Sequence, residues 1–384
     1  MPQRAIEYLK ETLPDYLKEL ETLVGIDSGT GQLDGIGQIA RFVARRLASL
    51  DYSVKIYHDE LYGDTLVGRR HGWGSANILI LGHMDTVYPP GTASQRPLTM
   101  GTDGRVAGPG VADMKGGLLN VLYALDFLAA TESRPYRTLT VICNPDEEVG
   151  SPSSRSIIEE EAARADCALV VEAAWEDGSL ISSRRGRGVF KLAVRGKAAH
   201  AGAAPEEGAS AHVEIAYQIL KLHTLNGIRP GVTVNVGTLR GGLRPNVVPD
   251  WAEAEVDVRA ATLGDAEAVQ QRMMELVATT HVAGTSASLS GNWTRFPMEK
   301  TRRTAQLVTF AQLTARELGF EVRDVHSGSS SDANLTAALG VPTLDGLGPV
   351  GGREHSPEEY ILLDSIVPRT ALLARLIEKI AACF

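Results

Sequence analysis

The sequence predicts an α/β protein: a mostly parallel sheet covered by helices, interrupted by an inserted α+β unit of ferredoxin-like element order. Three observations predict it. Short apolar runs alternate with segments of helical periodicity through the N-terminal half. From about Arg184 the pattern becomes β-α-β-β-α-β. The chain has 384 residues, 43% hydrophobic and only 5% aromatic, which is too much for one simple core and makes two domains the expectation.

Taken in order, residues 5–25 and 37–50 recur at helical spacing, and Ala76–Leu81 suit a strand buried on both faces. A helix starts near Asp113 with the body LLNVLYALDFLAA. The strand TLTVICN, the helix SRSIIEEEAARA and the strand CALVVEA follow. In the insertion, GVFKLAVRG, VTVNVGTL, AEAEVDVRA and SASLSG read as strands, and ASAHVEIAYQILKLHTL and DAEAVQQRMMELVATT as helices. A helix at 302–319, a strand around Glu321–Val325, the apolar VPTLDG and a final helix return the chain to the first sheet. The expected organisation is therefore 1–183, an inserted 184–293, and 294–384. Arg184, Arg185 and Arg187 read as a solvated hinge, with substrate contact as the other use.

Five side chains stand at the ends of apolar runs: His83 in GHMDTV, Asp113 in GPGVADMKGG, Glu148 in NPDEEVGS, Glu172 in VVEAA and His355 in REHSPEEY. Open parallel sheets gather ligands beyond the carboxyl ends of their strands, so these groups can converge. Two His with three carboxylates suit borderline divalent ions, and one carboxylate between two ions can bridge them. Each segment has a plainer use. HMD alone could be a turn, and GPGVADMKGG could be a glycine-rich loop with Asp113 as a helix cap. A phosphate loop is disfavoured, because GxxxxGK[ST] is absent. NPDEEVGS could be a solvated acidic turn, yet its three adjacent carboxylates call for a compensating cation. Glu148 would then bind metal while Glu147, off the metal, carries protons. Asp85 can accept a hydrogen bond from the second ring nitrogen of His83.

With HMDTV, GPGVADMKGG, NPDEEVGS, VVEAA, GKAAHAG, GGLRPNVVPD and REHSPEEY in that order, the chain resembles the co-catalytic zinc exopeptidases and deacylases. That family includes glutamate carboxypeptidase, aminoacylase, acetylornithine deacetylase and succinyl-diaminopimelate desuccinylase, and the likeness is strongest to glutamate carboxypeptidase. The resemblance implies two divalent ions, Zn2+ with Co2+ or Mn2+ as substitutes. One is held by His83, Asp113 and Glu172, the other by Asp113, Glu148 and His355. It further implies a cis peptide after Asp113, Glu147 as general base and acid, and Asp85 as the group that orients His83. The insertion becomes a lid and dimerisation domain whose His200 reaches a neighbouring site to stabilise an oxyanion. Without that match, His200 reads as a surface loop residue. Asn246, Arg259 and, more weakly, Arg295 resemble substrate-contacting positions.

The expected function is a di-metal amide hydrolase, a metallocarboxypeptidase that cleaves N-acyl amino acids or short peptides with a free C-terminal carboxylate. It would use a metal-bridging water and Glu147 as base. A small-molecule N-deacylase is the alternative within that chemistry. A noncatalytic metal-stabilised binding protein is the alternative outside it, against which the proton-carrying Glu147 argues. A net charge of −9 speaks against nucleic acid as a partner. The absence of a long apolar run speaks against a membrane. Three cysteines without CxxC spacing, and an N-terminus unlike a secretory signal, point to a reducing, cytoplasmic setting. A homodimer through the inserted domain is expected.

Overall fold

Strands rich in Ile, Leu and Val with no polar face need cover on both sides, and the segment Asn77–His83 is built that way: every residue from Ile78 to His83 is buried. The computed structural model describes residues 2–383. It places Asn77–His83 between Thr138–Asn144 and Cys167–Val170, parallel to both, with His83 opposite Asn144. Thr343–Leu344 extends the parallel part beyond Cys167–Val170.

The sheet is mixed, because Ser53–Tyr57 and Thr65–His71 complete it as antiparallel strands on the other edge. Neither appears as a strand in the sequence reading. Ser53–Tyr57 buries almost nothing, so it lacks the apolar run that marks the central strands. The strand expected at Glu321–Val325 lies slightly later, at Asp324–Ser327, where it pairs with Leu180–Arg184.

Helix Gly116–Ala130 is apolar on nearly every side and buried accordingly. It packs with Pro2–Val24 and Leu363–Ala381, and the latter also packs on Arg302–Glu317. Two glycines at the start of this layer are sterically required. Gly110 has φ 73°, and a Cβ on Gly117 would lie 2.0 Å from the Val171 carbonyl oxygen. Arg369, buried within Leu363–Ala381, donates to the carbonyls of Gly178, Gly346 and Gly348. Burial lowers its pKa to about 10.

The chain divides into two units. One runs to Ser183 and includes Lys300–His326 and the chain from Ser331; the other is Arg184–Glu299 with Ser327–Ser330. The second unit is a four-stranded antiparallel sheet in the order Thr233–Gly241, Trp251–Ala260, Gly186–Arg195, Ser286–Arg295. Inward residues such as Phe190, Leu192, Val256 and Val258 form its core with helices Ala211–His223 and Leu263–Val277. Ser210 and Thr262 cap those helices through their side-chain oxygens. The expected solvated hinge does not hold for Arg184. It is buried, and its guanidinium donates to the hydroxyls of Ser327 and Ser329. Among the described residues no helix is long and apolar enough to cross a membrane.

Replacing Arg369 with Leu strands the buried carbonyls of Gly346 and Gly348 and the half-buried one of Gly178. The expected loss is about 3 kcal/mol or more of stability, read from the urea unfolding midpoint with secondary structure of the native state unchanged.

Candidate metal centre

Three neighbouring parallel strands deliver acidic or imidazole groups at their carboxyl ends. His83 ends its strand, Glu147 and Glu148 begin a short 3-10 turn just beyond Asn144, and Glu172 lies just beyond Val170. Asp113 comes from the loop that leads into helix Gly116–Ala130, and His355 from the loop between Gly351–Gly352 and Tyr360–Leu362. The Asp113–Met114 peptide is cis.

These groups meet in one place. Asp113 lies between two imidazoles, with Oδ1 2.8 Å from His83 Nε2 and Oδ2 3.0 Å from His355 Nε2. Glu172 Oε1 is 3.7 Å from His83 Nε2, and Glu148 Oε2 is 3.2 Å from His355 Nε2. His83, Asp113 and Glu148 each offer a ligand atom within 4.8 Å of the others. His83 is buried, whereas the His355 side chain is 54% exposed, so the second imidazole forms the rim by which the site opens to solvent. His355 has φ 61°, an uncommon backbone conformation for a non-glycine residue that clusters at functional positions.

Burial and charge crowding together set the electrostatics. Burial and then the Asp113 charge push both Glu148 and Glu172 up to about 7. Burial also opposes charge on Asp113, but hydrogen bonds from His355 and His83 hold its carboxyl well below the usual range. Hydrogen bonds to Asp113 and Glu148 raise His355 to about 11. The cluster therefore draws positive charge, supplied by protons or by cations that replace them. Glu148 Oε1 is buried and meets no hydrogen-bond donor. A carboxylate oxygen so placed, among two imidazoles and two other carboxylates, fits a divalent ion.

Asp85 is fully buried and does more than one thing. His83 Nδ1 lies 3.0 Å from its backbone carbonyl and 3.3 Å from its carboxylate Oδ1. The carboxylate also accepts the backbone N–H groups of Glu147 and Glu148, at 3.1 and 3.2 Å, and the Thr30 hydroxyl at 2.7 Å. One side chain thus fixes both the His83 tautomer and the turn that carries two acidic residues. Below that turn, the Asn144 amide and the Ser151 hydroxyl donate to the buried Asp332.

Sequence reading did not single out Glu359, whose buried carboxylate accepts three backbone N–H groups of the Asp113 loop. Its only trace in sequence is a third acidic residue in REHSPEEY, which exposed surface explains equally well.

His200, Asn246, Arg259 and Arg295 belong to the other unit. His200 is exposed, and its Nδ1 accepts the backbone N–H groups of Gly202 and Ala203 at 3.1 and 3.0 Å. That arrangement leaves the proton on Nε2. The exposed Asn246 is its near neighbour, since Ala201 N–H donates to the Asn246 carbonyl at 3.0 Å. Arg259 forks onto Asp257, which also pairs with Arg187. Arg295 is buried.

Residues 79–379 match the model of peptidase family M20/M25/M40. Carboxypeptidase G2 of Pseudomonas sp. (strain RS-16) is 33% identical over 377 residues, covering 96% of this chain and 90% of that protein. Succinyl-diaminopimelate desuccinylase of Stenotrophomonas maltophilia (strain R551-3) is 26% identical over 327 residues, covering 81% and 85%. Among solved structures, a tripeptidase from Staphylococcus aureus superposes with a TM-score of 0.81 at 23% identity, covering 96% of this chain and 99% of that one.

The geometry around Asp113 yields a stoichiometric expectation. Were one ion held on each side of Asp113, Asp113→Ala would lose both, whereas Glu148→Ala and Glu172→Ala would each retain one per chain, as measured by atomic emission on protein equilibrated with Zn2+.

Proposed function

The chain belongs to peptidase family M20/M25/M40, and from that premise we propose that it is a carboxypeptidase acting on N-acyl amino acids or short peptides with a free C-terminal carboxylate. The observation that carries the reading is Asp113 set between His83 and His355, with Glu172 and Glu148 flanking them at the ends of parallel strands. We assign one ion to His83, Asp113 and Glu172 and a second to Asp113, Glu148 and His355. Zinc is the proposed metal, since two imidazoles with carboxylates suit it, and Co2+ or Mn2+ fit the same donors. Two such ions, when bound, acidify water and polarise a carbonyl.

Around them the side chains divide the work. Glu147, next to Glu148 on a turn pinned by Asp85, takes a proton from the attacking water and returns it to the leaving nitrogen. Asp85 keeps the His83 ring oriented, leaving Nε2 for the ion. His200 donates its Nε2 proton to the oxygen on which charge develops. Arg259, steadied by Asp257, receives the substrate carboxylate, and Asn246 contacts the carbonyl. Arg295 is a weaker candidate for the carboxylate. Similarity to a carboxypeptidase across nearly the whole chain favours a peptide or amino-acid conjugate as substrate. Similarity to a desuccinylase supports a second reading, N-deacylation of a small acyl amino acid.

A homodimer is the proposed assembly. Helix Ala211–His223 leaves Val213, Tyr217 and Leu220 exposed on one stripe, and the neighbouring edge strand Thr233–Gly241 exposes Leu239. An apolar stripe beside an unpaired strand edge supports association with a second copy. The free cysteines Cys143, Cys167 and Cys383 suit a reducing, cytoplasmic setting.

The function is tested by assaying the metal-loaded protein on C-terminal glutamate conjugates, dipeptides, and acetyl and succinyl amino acids. Fastest turnover is expected on the glutamate conjugates; faster cleavage of acetyl or succinyl amino acids selects the deacylase, and no turnover of any substrate contradicts both. Glu147→Ala should lower kcat by about 10²–10⁴-fold while both ions stay bound, as judged by metal analysis of the same sample. The pair Leu220→Asp and Leu239→Asp should halve the particle mass in light scattering. If His200 acts across the dimer, the same pair lowers kcat by about 10²–10³-fold, as does His200→Ala.

A further inference from the structure

The loop bearing Asp113 has a hydrogen-bonding problem that its own backbone does not solve. Gly110 is left-handed, and Asp113 and Met114 leave helical backbone geometry, so the turn diverts N–H groups from any regular ladder. Glu359 supplies the acceptors. Its Oε1 takes the N–H groups of Ala112 and Asp113 at 2.9 and 3.0 Å, and its Oε2 takes Gly110 N–H at 2.9 Å and the Tyr88 hydroxyl at 2.6 Å. The carboxylate is fully buried, and all four of these donors converge on it.

The same contacts join three segments. Glu359 lies four residues beyond His355. Tyr88 lies five residues beyond His83, and its hydroxyl oxygen is also 2.9 Å from the Ser356 carbonyl. Arg96 stacks on the Tyr88 ring and donates to the carbonyls of Ser356 and Pro357. The backbones that carry His83, Asp113 and His355 are thereby tied together behind the side chains they present.

We infer that Glu359 is a positioning residue for metal binding, a buried clasp that sets Asp113 between His83 and His355. The inference rests on reading those three residues as metal ligands. Only a carboxylate offers two acceptor oxygens here. A glutamine of the same shape would turn its NH2 group toward the Gly110 N–H or toward those of Ala112 and Asp113, and at least one bond to the loop would be lost. A rotation of the loop then moves Asp113 relative to both imidazoles.

The test uses the full chain, stripped of metal and titrated with Co2+ against a competing chelator, with the visible spectrum of the Co2+ form and circular dichroism of the metal-free form recorded alongside. Glu359→Gln should keep the wild-type circular dichroism, bind Co2+ about 10- to 100-fold more weakly, and shift the Co2+ absorption bands. A folded variant with wild-type affinity and spectrum overturns the inference. If Glu359→Gln does not fold, Tyr88→Phe decides. Loss of its single hydroxyl should weaken Co2+ binding by about three-fold and alter the bands, and wild-type values for both overturn it. Wild-type protein that binds no Co2+ contradicts the reading of the ligands and the clasp with it; wild-type binding matched by the variants contradicts the clasp alone.

Discussion

Asp113 held between the imidazoles of His83 and His355 is the contact on which the organisation of the larger unit depends. Three carboxylates in so small a space repel one another unless positive charge joins them, and burial together with the Asp113 charge pushes Glu148 and Glu172 up to about 7. Such an arrangement survives folding only where the backbone leaves it no room to spread. The parallel sheet supplies that rigidity, since its central strands are buried on both faces and end side by side at His83, Asn144 and Val170.

Behind the crowded groups lies a set of buried polar contacts. Asp85 pins the Glu147–Glu148 turn while orienting His83, and Glu359 closes on the Asp113 loop. Arg369 gathers the Gly346–Gly348 carbonyls, and Gly348 N–H in turn donates to the Glu172 carbonyl at 2.8 Å. In each case a buried charged side chain binds two or more backbone groups. This fixes loop shape around the Asp113 cluster.

Much of this was legible in the sequence, for a physical reason. Parallel strands buried on both faces read as apolar runs, so the residue that ends each run stands out: His83 after ILILG, Glu148 after TVICNPDE, Glu172 after CALVV. The inserted unit was legible because its strands alternate, as the burial of Gly186–Arg195 and Trp251–Ala260 does. Less legible were features without a periodic signature. Ser53–Tyr57 is an exposed edge strand, Arg184 sits among polar neighbours yet is buried, and Glu359 differs from any surface glutamate only by the donors that tertiary structure brings to it. Local pattern carries burial by period; it does not carry which distant backbone group a buried charge will serve.

Anomalous X-ray scattering at the zinc edge, from crystals of the chain grown with Zn2+, tests the central claim most directly. The account predicts two peaks, one on each side of the Asp113 carboxylate, separated by about 3.5–4 Å. A single peak, or peaks remote from Asp113, would contradict it.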